Sequence, residues 1–126
     1  MMSAAIVIAV LLAGAAGALL RYLVSLAFAG RSGFPTAVLA VNTVGSGLSG
    51  ALLALAALDV VSADLDLVIV TGLCGGLTTF STWTVETMQL MLDGRVRSAL
   101  SNIWLNLVLG IAAATLCYFA VLVIGR

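Results

Sequence analysis

The stretch GLCGGLTTFSTWTVE, Gly72 to Glu86, decides how this chain folds. Glycines and the hydroxyl residues Thr78, Thr79, Ser81, Thr82 and Thr84 crowd the middle of a segment that is otherwise apolar and of membrane length. Residues 65–70 before it and 88–92 after it are mostly apolar, so a polar stretch unfriendly to helix would lie near the bilayer centre. Backbone freed at that depth must be buried in protein or line a polar cavity, because lipid offers it no hydrogen bonds. The segment therefore reads as a broken transmembrane helix at an ion or solute site.

Composition leads to the membrane independently. Of 126 residues, 63% are hydrophobic and 8% charged, and mean hydropathy is +1.30, far from soluble averages. At roughly 20 residues per spanning helix there is room for about four or five spans and no separate soluble domain. The apolar stretches are residues 4–29, 35–58, 65–92 and 99–124, which makes four helices the economical count and one transmembrane domain over residues 1–126 the expected organisation. The first stretch lacks a basic leader and is followed by further spans, so it is expected to be kept rather than cleaved as a signal peptide. The runs are continuous and rich in Leu and Ala, unlike the short alternating segments of a membrane β-barrel, so the fold class is all-α. Cys74 and Cys117 lie in separate spans and His is absent, which supports neither a disulfide framework nor a Cys/His metal site.

Net charge is zero, so no broad basic surface points to nucleic acid. The connections after the first and third spans carry Arg31, Arg95 and Arg97, against Arg126 on the opposite side. That is a modest bias toward an extracytoplasmic N-terminus. Arg21 follows an uncharged run from Ala4 to Leu20 and is expected near one interface with Tyr22 as an aromatic anchor, or in an electropositive vestibule that gathers anions.

Small residues mark the packing faces. Ala13, Gly14, Gly17 and Ala18 lie in the first span, and Gly45, Gly47 and Gly50 in the second, where Thr43/Gly47 and Ser46/Gly50 have small-xxx-small spacing. Outside the third span, tight helix packing accounts for these glycines. Four short helices cannot easily enclose a path and also bury all their small-residue faces, so a dimer is the simplest assembly. Asn42, Ser46 and Ser49 share one face of the second helix, and Asn102 and Asn106 repeat the i, i+4 relation on the fourth, with Thr115 and Tyr118 further along. Interhelical hydrogen bonds, worth about 0.6 kcal/mol each, explain the single hydroxyls. A carboxamide such as that of Asn42 near mid-membrane is costlier without a partner.

Proton-coupled carriers usually hold an acid at mid-membrane. Glu86 is the sole candidate here, about two turns past the break, where an acid can also simply favour the N-terminal end of the second half-helix. A helix interrupted near Gly75 and Gly76 exposes carbonyl oxygens at the end of its first half and N–H groups at the start of its second. Carbonyls suit a hard cation, whereas N–H groups and hydroxyls suit an anion. Phe80 and Trp83, three apart, would point from a similar face, and the positive edges of their rings can meet a small anion.

Residues Gly72 to Glu86 closely resemble the signature of the small bacterial fluoride channels, the CrcB or Fluc family, in which a glycine pair precedes a Thr/Ser-Thr-Phe-Ser-Thr-Phe run. Gly17-Ala18-Leu19-Leu20-Arg21-Tyr22 and Val41-Asn42-Thr43-Val44-Gly45 add to the resemblance, which covers the whole chain. It implies a passive, fluoride-selective channel of the inner membrane, multi-pass, built as a dual-topology homodimer of two antiparallel subunits with two fluoride pathways. It also implies a structural sodium ion (Na+) at the dimer centre, held by backbone carbonyls of Gly75 and Thr78. Carried over in the same way, Phe80 lines the fluoride path with its ring edge, Asn42 faces the pore, and Ser81 and Thr82 add polar contacts. Asn106 and Tyr118 belong to a polar track on the fourth helix.

Trp83 departs from the resemblance, which has a second phenylalanine there; its indole could bind fluoride, narrow the path, or turn to a carbonyl. The Arg bias sits awkwardly with dual topology, so a heterodimer with a paired homologue stands beside the homodimer. A small four-helix multidrug or guanidinium exporter would need a buried acid in its first span, which is lacking. A non-transporting membrane assembly subunit leaves the cluster from Gly75 to Trp83 unexplained. An enzyme is disfavoured, because no nucleophile and base or metal-ligand set is visible.

Overall fold

The computed structural model describes residues 3–30 and 33–125; Arg31 and Arg126, which enter the topology count, lie outside the described residues. Helix α1 spans Ala4–Phe28 and starts where Ser3 Oγ accepts the Ile6 N–H. Helix α2 spans Thr36–Ala57. Helix α3, residues 63–77, is α-helical over Ala63–Asp66, widens to a π-helix over Leu67–Cys74 and tightens again over Gly75–Leu77. Helix α4 spans Phe80–Leu92 and α5 spans Val96–Ile124. With α3 and α4 taken together as Ala63–Leu92, four helical segments are long and apolar enough to cross a membrane. No strand occurs among the described residues, so the chain is all-α.

The connections follow from their turn chemistry. Gly94 ends α4 in the left-handed region, φ 73°, with its N–H on Met91 O and the Arg95 N–H on Leu90 O, the paired bonds that satisfy a helix's last carbonyls. Asp59 does the same after α2 at φ 55°. Arg95 then reaches from the α4–α5 turn to the Gly33 carbonyl and ties that turn to the α1–α2 connection.

Helix α2 is the centre of the subunit: it lies along α5 and also meets α1, α3 and α4. The core it forms is small, with Val38, Val41, Leu52, Ala54, Cys74 and Ala99 buried. Leu11, Leu12, Ile111 and Leu116 point outward and are exposed. That inversion suits lipid, where large apolar side chains lose nothing by staying outside and helices gain by bringing backbones close. A Cβ at Gly17 would land on the Leu73 carbonyl, one at Gly76 on the Gly14 carbonyl, and one at Gly50 on the Ala114 carbonyl. Glycines of the third span are thus packing residues too, a role the sequence reading confines to the other spans.

The helix does break near the middle of the third span, but not at the glycine pair. Gly75 and Gly76 are helical, and the chain extends at Thr78 (φ −78°, ψ 157°) and Thr79 (φ −151°, ψ 121°). The physical reason is a competing acceptor: Asn42 Oδ1 takes the Thr79 N–H at 2.8 Å, the bond that would otherwise continue the helix.

Candidate functional site

Two residues of extended backbone in a membrane span expose polar groups that must be satisfied locally. Thr79 caps α4, its Oγ1 accepting the Thr82 N–H at 3.1 Å and donating to Thr82 Oγ1 at 2.9 Å. Thr78 Oγ1 donates back to Cys74 O at 2.9 Å. Asn42, on α2, binds the Thr79 peptide from both sides: Oδ1 accepts its N–H, and Nδ2 donates to its carbonyl at 3.2 Å. A carboxamide is the one small side chain that carries both a donor and an acceptor in this geometry.

From Asn42 a chain of hydrogen bonds runs away from the break along α5. Asn42 Nδ2 donates to Asn106 Oδ1 at 3.0 Å, and Asn106 Nδ2 donates to Asn102 O and Oδ1, both at 3.0 Å. Asn102 Nδ2 donates to Thr87 Oγ1 at 2.8 Å, and the Thr87 hydroxyl donates to Trp83 O at 2.7 Å. The direction of the chain is set at its start, because a backbone N–H can only donate. Asn42 Oδ1 must face it, and each later carboxamide is oriented in turn. Asn102 is completely buried, so the ladder is enclosed at that point, where a hydrogen bond is strongest and an unpaired group costliest.

A cavity of about 270 Å³ opens at the break, lined by Asn42, Ser46, Thr78, Thr79, Phe80, Trp83, Asn106 and Leu107. No charged side chain is among them. The N-terminal end of α4, capped at Thr79, meets this cavity, and helix N-termini carry partial positive charge and unpaired N–H groups. Phe80 and Trp83 form one aromatic unit, ring centroids 5.3 Å apart and planes at 71°, edge to face. The Trp83 indole turns its N–H to a carbonyl, Nε1 donating to Asn102 O at 3.3 Å, while the ring still lines the cavity. Phe80 is 75% exposed.

Of the residues selected from sequence, Asn42, Thr78, Phe80, Trp83 and Asn106 line this cavity. Ser81 and Thr82 stand behind its rim as partners of Thr79 Oγ1. Gly75 lies on an exposed face of α3 just before the break. Tyr118 is elsewhere, in a groove with Gly50, Leu53, Ala114, Thr115 and Phe119, and stacks edge to face on Phe119. Arg21 does not line the cavity; its carbonyl accepts the Ser25 hydroxyl. Glu86 borders two surface grooves beside the α1–α2 connection, with Oε2 buried and without a hydrogen-bond partner among the described residues. Sequence reasoning offered Thr79 only as one of four hydroxyl caps or donors, placed Asn102 only on a polar stripe, and missed Thr87. The i, i+4 pair Asn102/Asn106 was a signal for Asn102; nothing local singles out Thr79 among its hydroxyl neighbours.

Comparison with known proteins places this architecture. A family model described as CrcB-like protein, Camphor Resistance (CrcB), matches residues 8–118. A protein of Thermobifida fusca named Fluoride-specific ion channel FluC 1 is 46% identical over 107 residues, covering 83% of this chain and 86% of that protein. Fluoride-specific ion channel FluC 2 of Mycobacterium tuberculosis is 44% identical over 117 residues, 91% of this chain and 90% of that one. Fluoride-specific ion channel FluC of Methanocaldococcus jannaschii is 44% identical over 92 residues, 73% and 74% of the two chains.

Proposed function

The chain belongs to the CrcB-like family, and on that premise we propose that the break between α3 and α4 is the fluoride site of a fluoride-selective ion channel. The protein is a multi-pass membrane protein and a channel, not an enzyme. The observation that carries the site assignment is the uncharged cavity at the positive end of α4, walled by the Asn42 and Asn106 carboxamides and the Phe80–Trp83 pair.

Such a wall accepts a small anion without a charged side chain to trap it. Ring edges and the α4 N-terminus supply positive potential, and a narrow path whose donors are placed to replace the water of a small ion favours fluoride over chloride. Asn42, Phe80 and Trp83 line the path, Ser81 and Thr82 hold its rim, and Asn106 continues it; Arg21 serves as an anchor or vestibule charge. Tyr118 is assigned to a distal part of the same track. In the inner membrane, fluoride that enters as neutral HF and dissociates inside is driven out by the membrane potential, about 2.3 kcal/mol per 100 mV.

Sodium fits the break. In a continuous helix the Gly75 and Thr78 carbonyls would accept from the Thr79 and Thr82 N–H groups, which here go to Asn42 Oδ1 and Thr79 Oγ1. Two hard oxygen donors are left without a hydrogen bond among the described residues. Bound there, sodium would supply a fixed positive charge at the centre of a dimer. The exposure of Gly75 and Phe80 supports a second copy covering this face, in an antiparallel homodimer. Labelling of an added terminal cysteine equally from both membrane faces supports that arrangement. One-sided labelling replaces it with a heterodimer of paired homologues.

The channel assignment is tested with liposomes loaded with potassium fluoride, a potassium ionophore and a fluoride electrode. Fast fluoride efflux with little chloride efflux is expected; absence of fluoride efflux would return the exporter and assembly-subunit readings.

A further inference from the structure

The donors already engaged around the cavity show which group is left to meet an ion. The two Asn42 Nδ2 hydrogens go to Thr79 O and Asn106 Oδ1, and those of Asn106 go to Asn102. Trp83 Nε1 is on Asn102 O, Thr78 Oγ1 on Cys74 O, and Thr79 Oγ1 on Thr82 Oγ1. Ser46 lines the same cavity, and its hydroxyl makes no hydrogen bond among the described residues.

A helical serine in a membrane span can instead fold its hydroxyl back on the carbonyl one turn earlier. Ser49, on the same helix, does this, donating to Gly45 O at 2.9 Å, as does Ser25 to Arg21 O at 3.0 Å. Space explains how Ser46 can stand clear. The facing residue on α5 is Gly110, and a Cβ built there would already approach Ser46 Oγ to 3.4 Å.

We propose that Ser46 is an ion-binding residue of this site, its hydroxyl donating to partly dehydrated fluoride in the cavity beside the Phe80 and Trp83 edges. The proposal rests on the channel reading and adds a direct ligand that the sequence placed only in a polar stripe. Because the other side-chain donors are held in the Asn42–Asn106–Asn102 ladder, fluoride can gain this bond without breaking one. Donation to a charged acceptor is stronger than to a neutral one, and its loss corresponds to about a 10- to 100-fold change in binding.

The test compares wild type, Ser46→Ala and Ser46→Thr in the liposome efflux assay over a range of fluoride concentrations, each protein first checked for a monodisperse elution profile. Expected are a Ser46→Ala flux about 10- to 100-fold lower at low fluoride, a half-saturating concentration shifted upward, unchanged chloride leak, and substantial recovery in Ser46→Thr. Flux and concentration dependence in Ser46→Ala within twofold of wild type overturn the proposal while leaving the channel reading intact. A wild-type protein that carries no fluoride overturns both. Should Ser46→Ala fail to fold, Ser46→Cys keeps the volume with a poor donor and is judged by the same two outcomes.

Discussion

Replacing Trp83 by Phe isolates what the indole adds to this site. The substitution removes one donor and part of one ring. The bond lost, Nε1 to Asn102 O at 3.3 Å, is long, so its net worth lies near the low end of the usual range, about 0.5 kcal/mol. The Asn102 carbonyl is not orphaned, because Asn106 Nδ2 still donates to it at 3.0 Å. The edge-to-face contact with Phe80 can be kept by a phenyl ring, so most of its roughly 0.5–1.5 kcal/mol survives. Removed indole atoms leave no sealed void, since Trp83 also borders an open apolar groove with Met88, Met91 and Ile103. The sum is about 0.5–1 kcal/mol, equivalent to about a two- to fivefold change in rate. Fluoride efflux from Trp83→Phe is therefore expected to be preserved or raised, with a small loss of thermal stability in detergent. Trp83→Ala, which also strips Phe80 of its partner, should lose more than about tenfold. A folded Trp83→Phe protein with no fluoride flux would refute this reasoning and make the indole N–H an ion ligand rather than a brace.

Three further outcomes follow from the same contacts. Asn42→Ala leaves the Thr79 N–H and the Asn106 carboxamide without their partner, which should cost about 2–4 kcal/mol and reduce fluoride flux at least about tenfold; stability and flux close to wild type would disconnect Asn42 from the break. Gly76→Ala drives a methyl into the Gly14 carbonyl and should cost about 1–3 kcal/mol, read as lower yield and a lower melting temperature, whereas Gly30→Ala, where a Cβ would meet nothing within 4 Å, disturbs only a left-handed turn. Exchange of sodium for a large organic cation during purification should lower thermal stability in a way that added sodium reverses, and indifference to sodium would remove the ion from Gly75 and Thr78.

The contrast between Asn42 and the glycine pair shows how far the sequence is legible. Gly75 and Gly76 are weak helix formers, so local propensity puts the break there. The helix instead continues through them, and α1 packs on the bare backbone of Gly76, as its contact with the Gly14 carbonyl shows, while Gly75 stays exposed. The true break depends on a carboxamide 37 residues away in sequence. Asn42 was legible as a polar residue too costly to be idle, but its partner was not. Tyr118 illustrates the opposite limit: spacing put it on a polar stripe of α5, yet helix length carries it away from the Asn42 cavity into another groove.

What the sequence determined by itself is everything that depends on transfer to lipid and on local pattern. The apolar runs dictate four helical spans, because lipid leaves a backbone only helices or closed barrels and these continuous runs lack the alternation of a barrel, and the Gly72 to Glu86 motif marks the third as interrupted and identifies the family. The tertiary structure alone decided where the interruption falls, which way each carboxamide in the Asn42–Asn106–Asn102 ladder points, and that the Trp83 N–H is turned to Asn102. That the Ser46 hydroxyl lines the cavity without a hydrogen bond among the described residues is likewise a tertiary fact. The break and the ladder depend on the hydrogen bonds of Asn42 to groups far apart in sequence. Such a bond forms only after packing has fixed the distance between helices, and no periodicity in one chain encodes that distance.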